Sequence, residues 1–183
     1  MENQKIKAVK EINQELLVAK IVEVAKSFVG QKEIAGNKGW EDKTFEAKMR
    51  KMGWWVTAPW CMFLCRLVWK EAYAYFYNDA AVMSIIGSNI NGSSIDSAAR
   101  VRKYKDFEFS DKPVVGAIVI WSKTKTSGHG GIVISVNGNN FTTVEGNTNE
   151  AGSREGDRVL IKKRSLDTKS SMTILGFVIP KVF

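Results

Sequence analysis

The sequence predicts an α+β fold, with N-terminal helices packed on a five- to six-stranded antiparallel sheet. Three observations carry this. Apolar residues recur at helical spacing before about Ala99, β-branched runs of strand length follow Pro113, and an Asn137-Gly138 hairpin signal joins two of those runs. Helices first and an antiparallel sheet second is a two-layer α+β order.

Leu17, Ile21, Val24, Ala25 and Phe28 fall three and four apart, which predicts a helix stopped at Gly30. Residues 1–15 are charged and weakly patterned and either extend that helix or fray. Gly36-Asn37-Lys38-Gly39 reads as a turn, and Phe45–Met52 as a short helix closing at Gly53. Pro59 suits the first position of a helix, where its missing N–H costs nothing. That helix runs to Phe76 with Cys61, Leu64, Cys65, Val68 and Ala72 on one face. Ala80–Ala99 reads as a helix, a loop and a second short helix. The strands are Val114–Trp121, Gly131–Val136, Phe141–Glu145, Asp157–Arg164 and Ile174–Val182. With no repeat, low-complexity tract or linker, residues 1–183 are expected to form one domain.

A hydrophobic fraction of 44% and a charged fraction of 25% exclude a disordered chain, a collagen-like fibre and a disulfide scaffold. Lys and Arg number 27 against 19 Asp and Glu, a net charge of +8, which favours an anionic partner. The basic residues are scattered and no base-stacking or groove-reading motif occurs, so nucleic acid is not expected. The apolar stretch Leu16–Val29 is broken by Lys20, Glu23 and Lys26. It suits neither a membrane span nor the core of a signal peptide. The expectation is a chain made in the cytoplasm without a signal peptide, leaving by another route and not stably inserted in a membrane.

Cys61 and Cys65 stand four apart on the predicted helix, where Cβ atoms are ~5–6 Å from each other. A disulfide needs ~3.8 Å, so two free thiols are expected. Cys61 falls in the first helical turn, where the helix dipole favours a thiolate and hence a nucleophile. Cys65, one turn deeper, reads as core. His129 is the sole histidine, in Gly128-His129-Gly130-Gly131 before a strand, and its glycines are expected to clear a substrate channel. A Cys–His pair needs a third group to orient the imidazole, and Glu145 or Asn147, in Val144-Glu145-Gly146-Asn147-Thr148-Asn149, supplies it. A zinc site of Cys61, Cys65 and His129 is disfavoured, because the cysteines lack Cys-x-x-Cys spacing.

The order Cys, His, Glu/Asn is that of papain-like cysteine hydrolases. Trp60-Cys61-Met62-Phe63, Gly128-His129-Gly130-Gly131-Ile132-Val133 and Val144–Asn149 resemble the CHAP family of cysteine, histidine-dependent amidohydrolases/peptidases. Lys112–Trp121 resembles the strand leading to the family's histidine hairpin, and Gly152–Asp157 the segment after its Glu-Gly-Asn turn. The likeness spans about Ile21 to Ile179. It implies a papain-like (CHAP/NlpC-P60-type) fold and cleavage of amide bonds in peptidoglycan by an amidase or endopeptidase. It further implies Cys61 as nucleophile, His129 as base, Glu145 as orienting residue and Asn147 as a supporting polar group. Trp60, Gly128 and Gly130 are the expected substrate contacts. Three departures stand out. Met62 replaces a small residue and is expected to reshape the cleft, Gly130 stands where valine is common, and no paired-aspartate calcium loop precedes Cys61, so neither metal nor cofactor is expected. The reading is a monomeric phage-type endolysin acting on bacterial peptidoglycan after release. The alternatives are an interbacterial amidase toxin or a non-catalytic wall-binding or virion structural module.

Overall fold

The computed structural model describes residues 13–149, 156–167 and 171–183. The helix α1 (Gln14–Ser27) begins at Asn13, whose side chain accepts from Leu16 N at 2.9 Å, and Leu17, Ile21 and Ala25 are its buried positions. The possible extension over residues 1–12 lies outside the described residues. After it come α2 (Lys43–Lys51), α3 (Cys61–Phe76), α4 (Ala80–Asn89) and α5 (Ser94–Tyr104). Asp42, Asp79 and Ser93 cap α2, α4 and α5 through their side chains, as short polar residues do at this position. α3 alone among these helices starts without a side-chain cap. Its N-cap is Trp60, so Pro59 lies one residue outside the helix rather than at its first position, and Cys61 takes that place. The leading N–H groups of α3 therefore remain available.

Six strands follow: β1 (Glu108–Ser110), β2 (Ile118–Ser122), β3 (Gly128–Asn137), β4 (Asn140–Thr148), β5 (Arg158–Ser165) and β6 (Thr173–Ile179). All pairs are antiparallel, in the order β1-β6-β2-β3-β4-β5. The expected layout holds, with the short β1 added. Three strand limits differ from the sequence reading. Val114–Gly116 forms a turn instead of a strand, closed by Ala117 N donating to Val114 O, with Gly116 at φ +86°. β3 starts at Gly128, so His129 lies inside a strand and pairs with Trp121. β4 continues past Glu145 across a bulge to Thr148.

Alternation divides the sheet into two faces. Ile118, Ile120, Ile132, Val144 and Val178 face the helices and pack with Leu64, Cys65, Val68 and Ala72 of α3. Val119, Trp121, Val133, Phe141 and Phe177 form a second core on the other face. The sheet curls around this second core. Phe141 on β4 and Phe177 on β6 have ring centroids 5.4 Å apart although β3 and β2 lie between them. Flat strands three places apart would be ~14 Å from each other at the usual spacing. Beneath the start of α3, the rings of Phe45, Trp54 and Trp60 surround Trp40 at 4.7–5.2 Å. Burying each such side chain contributes roughly 1.5–3 kcal/mol, which fixes where α3 begins. No described helix is long and apolar enough to cross a membrane.

Candidate active site

The start of α3 meets the glycine-rich start of β3. Cys61 is 6% exposed, His129 1% and Glu145 0%. His129 Nε2 lies 2.9 Å from Glu145 Oε2 and donates to it, since an ionised carboxylate only accepts. The other ring nitrogen, Nδ1, is buried with no hydrogen-bond partner among the described residues, and the Cys61 thiol is coupled to the ring by charge. The structure thus brings the predicted thiol, imidazole and carboxylate together.

Burial opposes ionisation of Cys61. The charge of His129 and the backbone N–H groups of Gly130 and Met62 outweigh burial and hold the thiol below its ordinary 9.0. Burial would likewise neutralise His129, but the charge of Cys61 and the bond to Glu145 push its pKa up to about 10. Against burial, bonds from His129 and Arg164 hold Glu145 down at about 2. Ionisation of the Cys61 thiol is thus eased beside a protonated His129 and an ionised Glu145. Cys65 behaves as core: burial first, then the charges of Cys61 and Glu145, drive its thiol well above the ordinary range. Both cysteines are free.

Two further groups complete the carboxylate's environment. Arg164 Nε donates to Glu145 Oε1 at 2.7 Å and its Nη2 to Oε2 at 2.5 Å. Thr143 Oγ1 donates to Oε1 at 2.5 Å. Sequence reading missed both. Thr143 carried a signal, since it shares a strand face with Glu145 two residues away. Arg164 carried none, because only the register of β5 against β4 and the curl of the sheet place it there.

The remaining expected site residues are placed differently. Asn147 is buried, but its φ of +55° in the bulge breaks the alternation that was to set it beside Glu145. Trp60 is 0% exposed, packed on Trp40 with its indole N–H donating to Glu33, so its side chain does not reach a cleft. Trp55, 61% exposed, lies edge-on to Phe63 of the first turn of α3. The glycines around His129 do not clear a channel; they permit close packing. A methyl group on Gly130 would stand 2.2 Å from Met62 Sδ, one on Gly131 2.7 Å from Glu145 Cγ, and one on Gly128 1.9 Å from Trp121 O. Met62 is fully buried over Gly130 and so fills the helix–sheet contact rather than the cleft. Gly152–Glu155, part of the segment likened to the family, lie outside the described residues. Among the described residues no three His, Cys, Asp or Glu side chains gather as metal ligands.

A thiol at a helix start, an imidazole on a neighbouring strand and a carboxylate behind it are the working groups of a cysteine-dependent hydrolase. The CHAP domain model matches residues 53–147, which is 95 of the 183 residues and includes all three groups. The chain belongs to the CHAP domain family. Among solved structures it is similar to the crystal structure of Ly7917, with a TM-score of 0.53 and 16% identity over 89% of this chain and 62% of that one. At that identity the likeness concerns the fold, and this chain spans less than two thirds of that structure's length. No curated protein sequence matches the chain.

Proposed function

We propose that this protein is a peptidoglycan hydrolase of the phage endolysin type that cleaves an amide bond of the stem or cross-bridge peptide through a thioester at Cys61. The observation that carries this reading is the buried grouping of Cys61, His129 and Glu145, in which His129 is bonded to Glu145 and its charge eases ionisation of the Cys61 thiol. The Cys61 thiolate attacks the carbonyl carbon, and the backbone N–H of Cys61 at the start of α3 helps hold the oxyanion. As the C–N bond breaks, His129 gives its proton to the leaving amine. A water then loses a proton to His129, attacks the thioester and releases the carboxylic acid and the thiolate. Glu145 keeps the imidazolium oriented and paired, and Asn147 braces the bulge behind it. Trp55 takes the substrate-contact role first given to Trp60, and the partly exposed Gly128 keeps its own. The net charge of +8 suits an acidic wall polymer, on which the chain acts as a monomer after release. Digestion of purified peptidoglycan with mass spectrometry of the fragments tests the reading. A freed lactyl group marks an amidase, a new peptide terminus marks an endopeptidase, and intact peptidoglycan refutes both.

The ionic pair sets the pH dependence. Cleavage falls on the acid side as Cys61 takes up a proton, at a pH below 9.0, and on the alkaline side as His129 loses its proton near about 10. A kcat/KM profile on a soluble muropeptide measures both limbs. Activity still rising beyond that alkaline value would remove His129 as the proton donor.

Cleavage should survive chelators and be lost on thiol alkylation, because the proposed chemistry rests on a thiolate alone. Inactivation by chelation, reversed by calcium or zinc, would contradict the mechanism.

A further inference from the structure

Glu145 carries a fully buried charge, and His129 occupies only one of its four acceptor positions. Three others are filled from one fork and one hydroxyl. Arg164 donates through Nε to Oε1 and through Nη2 to Oε2, and Thr143 donates to Oε1. A bidentate guanidinium fixes the direction of a carboxylate as well as its charge. The guanidinium is itself held, lying 5.4 Å from the Trp121 ring, whose centroid is 5.6 Å from the His129 ring. β5 and β2 are three places apart in the sheet, so this contact exists only because the sheet curls.

We propose that Arg164 is a positioning residue of the reaction, locking the Glu145 carboxylate so that His129 keeps Nε2 bonded and turns Nδ1 to Cys61. This rests on the reading of Cys61 and His129 as the reacting pair. With Cys61 ionised, the charge sequence Cys61⁻, His129⁺, Glu145⁻, Arg164⁺ is neutral as a set. Without Arg164 the buried set carries a net negative charge and binds a proton more readily, so Cys61 ionises at higher pH.

The fold also leaves this guanidinium replaceable. Arg164 forms part of the wall of a cavity of about 660 Å³, together with Trp121, Asn140, Phe141, Met172 and Ile174. Neither Cys61 nor His129 lines that cavity. Its Nη1 makes no hydrogen bond to a described residue. Truncation to alanine would therefore open Glu145 to a space that a small planar cation can enter.

The test reads Cys61 alkylation by iodoacetamide against pH in the full chain, beside peptidoglycan hydrolysis. Arg164→Ala should move the acid limb of alkylation upward by about one pH unit and lower hydrolysis by roughly 10²-fold. Millimolar guanidinium chloride should return the limb and raise hydrolysis at least about tenfold, a change of ~1.4 kcal/mol. Equal urea or sodium chloride should do neither. An unmoved limb in Arg164→Ala, or rescue by urea as complete as by guanidinium, overturns the proposal. If the alanine variant does not fold, Arg164→Lys and Arg164→Gln decide. The lysine keeps the charge and should hold the limb in place, whereas the glutamine should move it; the same limb in both overturns the proposal. Alkylation needs no wall substrate. A chain that alkylates as described yet cuts no peptidoglycan refutes the proposed function and leaves the placement of Arg164 standing.

Discussion

Cys61→Ala is expected to lower peptidoglycan hydrolysis by at least about 10⁴-fold, while Cys65→Ser keeps most of the activity of each folded molecule. The two thiols are one helical turn apart and both buried, so exposure does not separate them. Their surroundings do. Cys61 is the first residue of α3, at a terminus with no side-chain cap, and against burial the charge of His129 and the N–H groups of Gly130 and Met62 favour its thiolate. Cys65 has the charges of Cys61 and Glu145 against it and no imidazole of its own, so its thiol stays protonated. Serine at Cys65 buries a hydroxyl, which costs about 1–3 kcal/mol where no partner is found. The expected penalty is therefore a lower melting temperature without a lower turnover. Rates on a soluble muropeptide, normalised to folded protein by circular dichroism, separate these effects. Equal loss of turnover in both folded variants would mean that the two sulfurs act together, and the single-nucleophile mechanism would fall.

The parts of the site legible in the sequence are those fixed by local order. A cysteine at a helix start, the only histidine at a strand and a glutamate on the next strand follow from helix and hairpin signals. The antiparallel pairing of β3 and β4 then brings His129 and Glu145 together. What depended on direction or on distant pairing was not legible. Trp60 adjoins Cys61 in sequence, yet the N-cap geometry turns its side chain into the Trp40 cluster. The glycines beside His129 read as open space, whereas Gly130 meets Met62 of α3, Gly131 meets Glu145 of β4 and Gly128 meets the Trp121 carbonyl of β2. Arg164 reaches Glu145 through strand register and curl, neither of which leaves a short-range mark. Pro59 and the bulge at Asn147 show the same limit one residue at a time: residue type gave the element, and packing gave its end.

Glu145→Gln is expected to cost about 10²–10⁴-fold in kcat with little change in KM, and more than Asn147→Ala costs. The reason lies in the donors that converge on the carboxylate. Oε1 accepts from Thr143 and Arg164 Nε, and Oε2 accepts from His129 and Arg164 Nη2. An amide nitrogen in either position meets two donors, so no rotamer of glutamine satisfies the site. The imidazolium also loses the charge-assisted bond at Nε2, roughly twice as strong as a neutral one. It then holds its proton less well, and Cys61 loses the cation that favours its thiolate. Asn147 differs in kind. Its φ of +55° lies in the left-handed region that asparagine tolerates and alanine resists. Asn147→Ala should therefore lower stability by roughly 1–2 kcal/mol. Asn147→Gly, which relieves the backbone, should keep kcat within a few-fold of the original. Steady-state kinetics of the three variants on a soluble muropeptide compare the roles directly. If Asn147→Gly proves folded and loses more turnover than Glu145→Gln, the asparagine orients His129, and the carboxylate is left with only the clamp of Arg164.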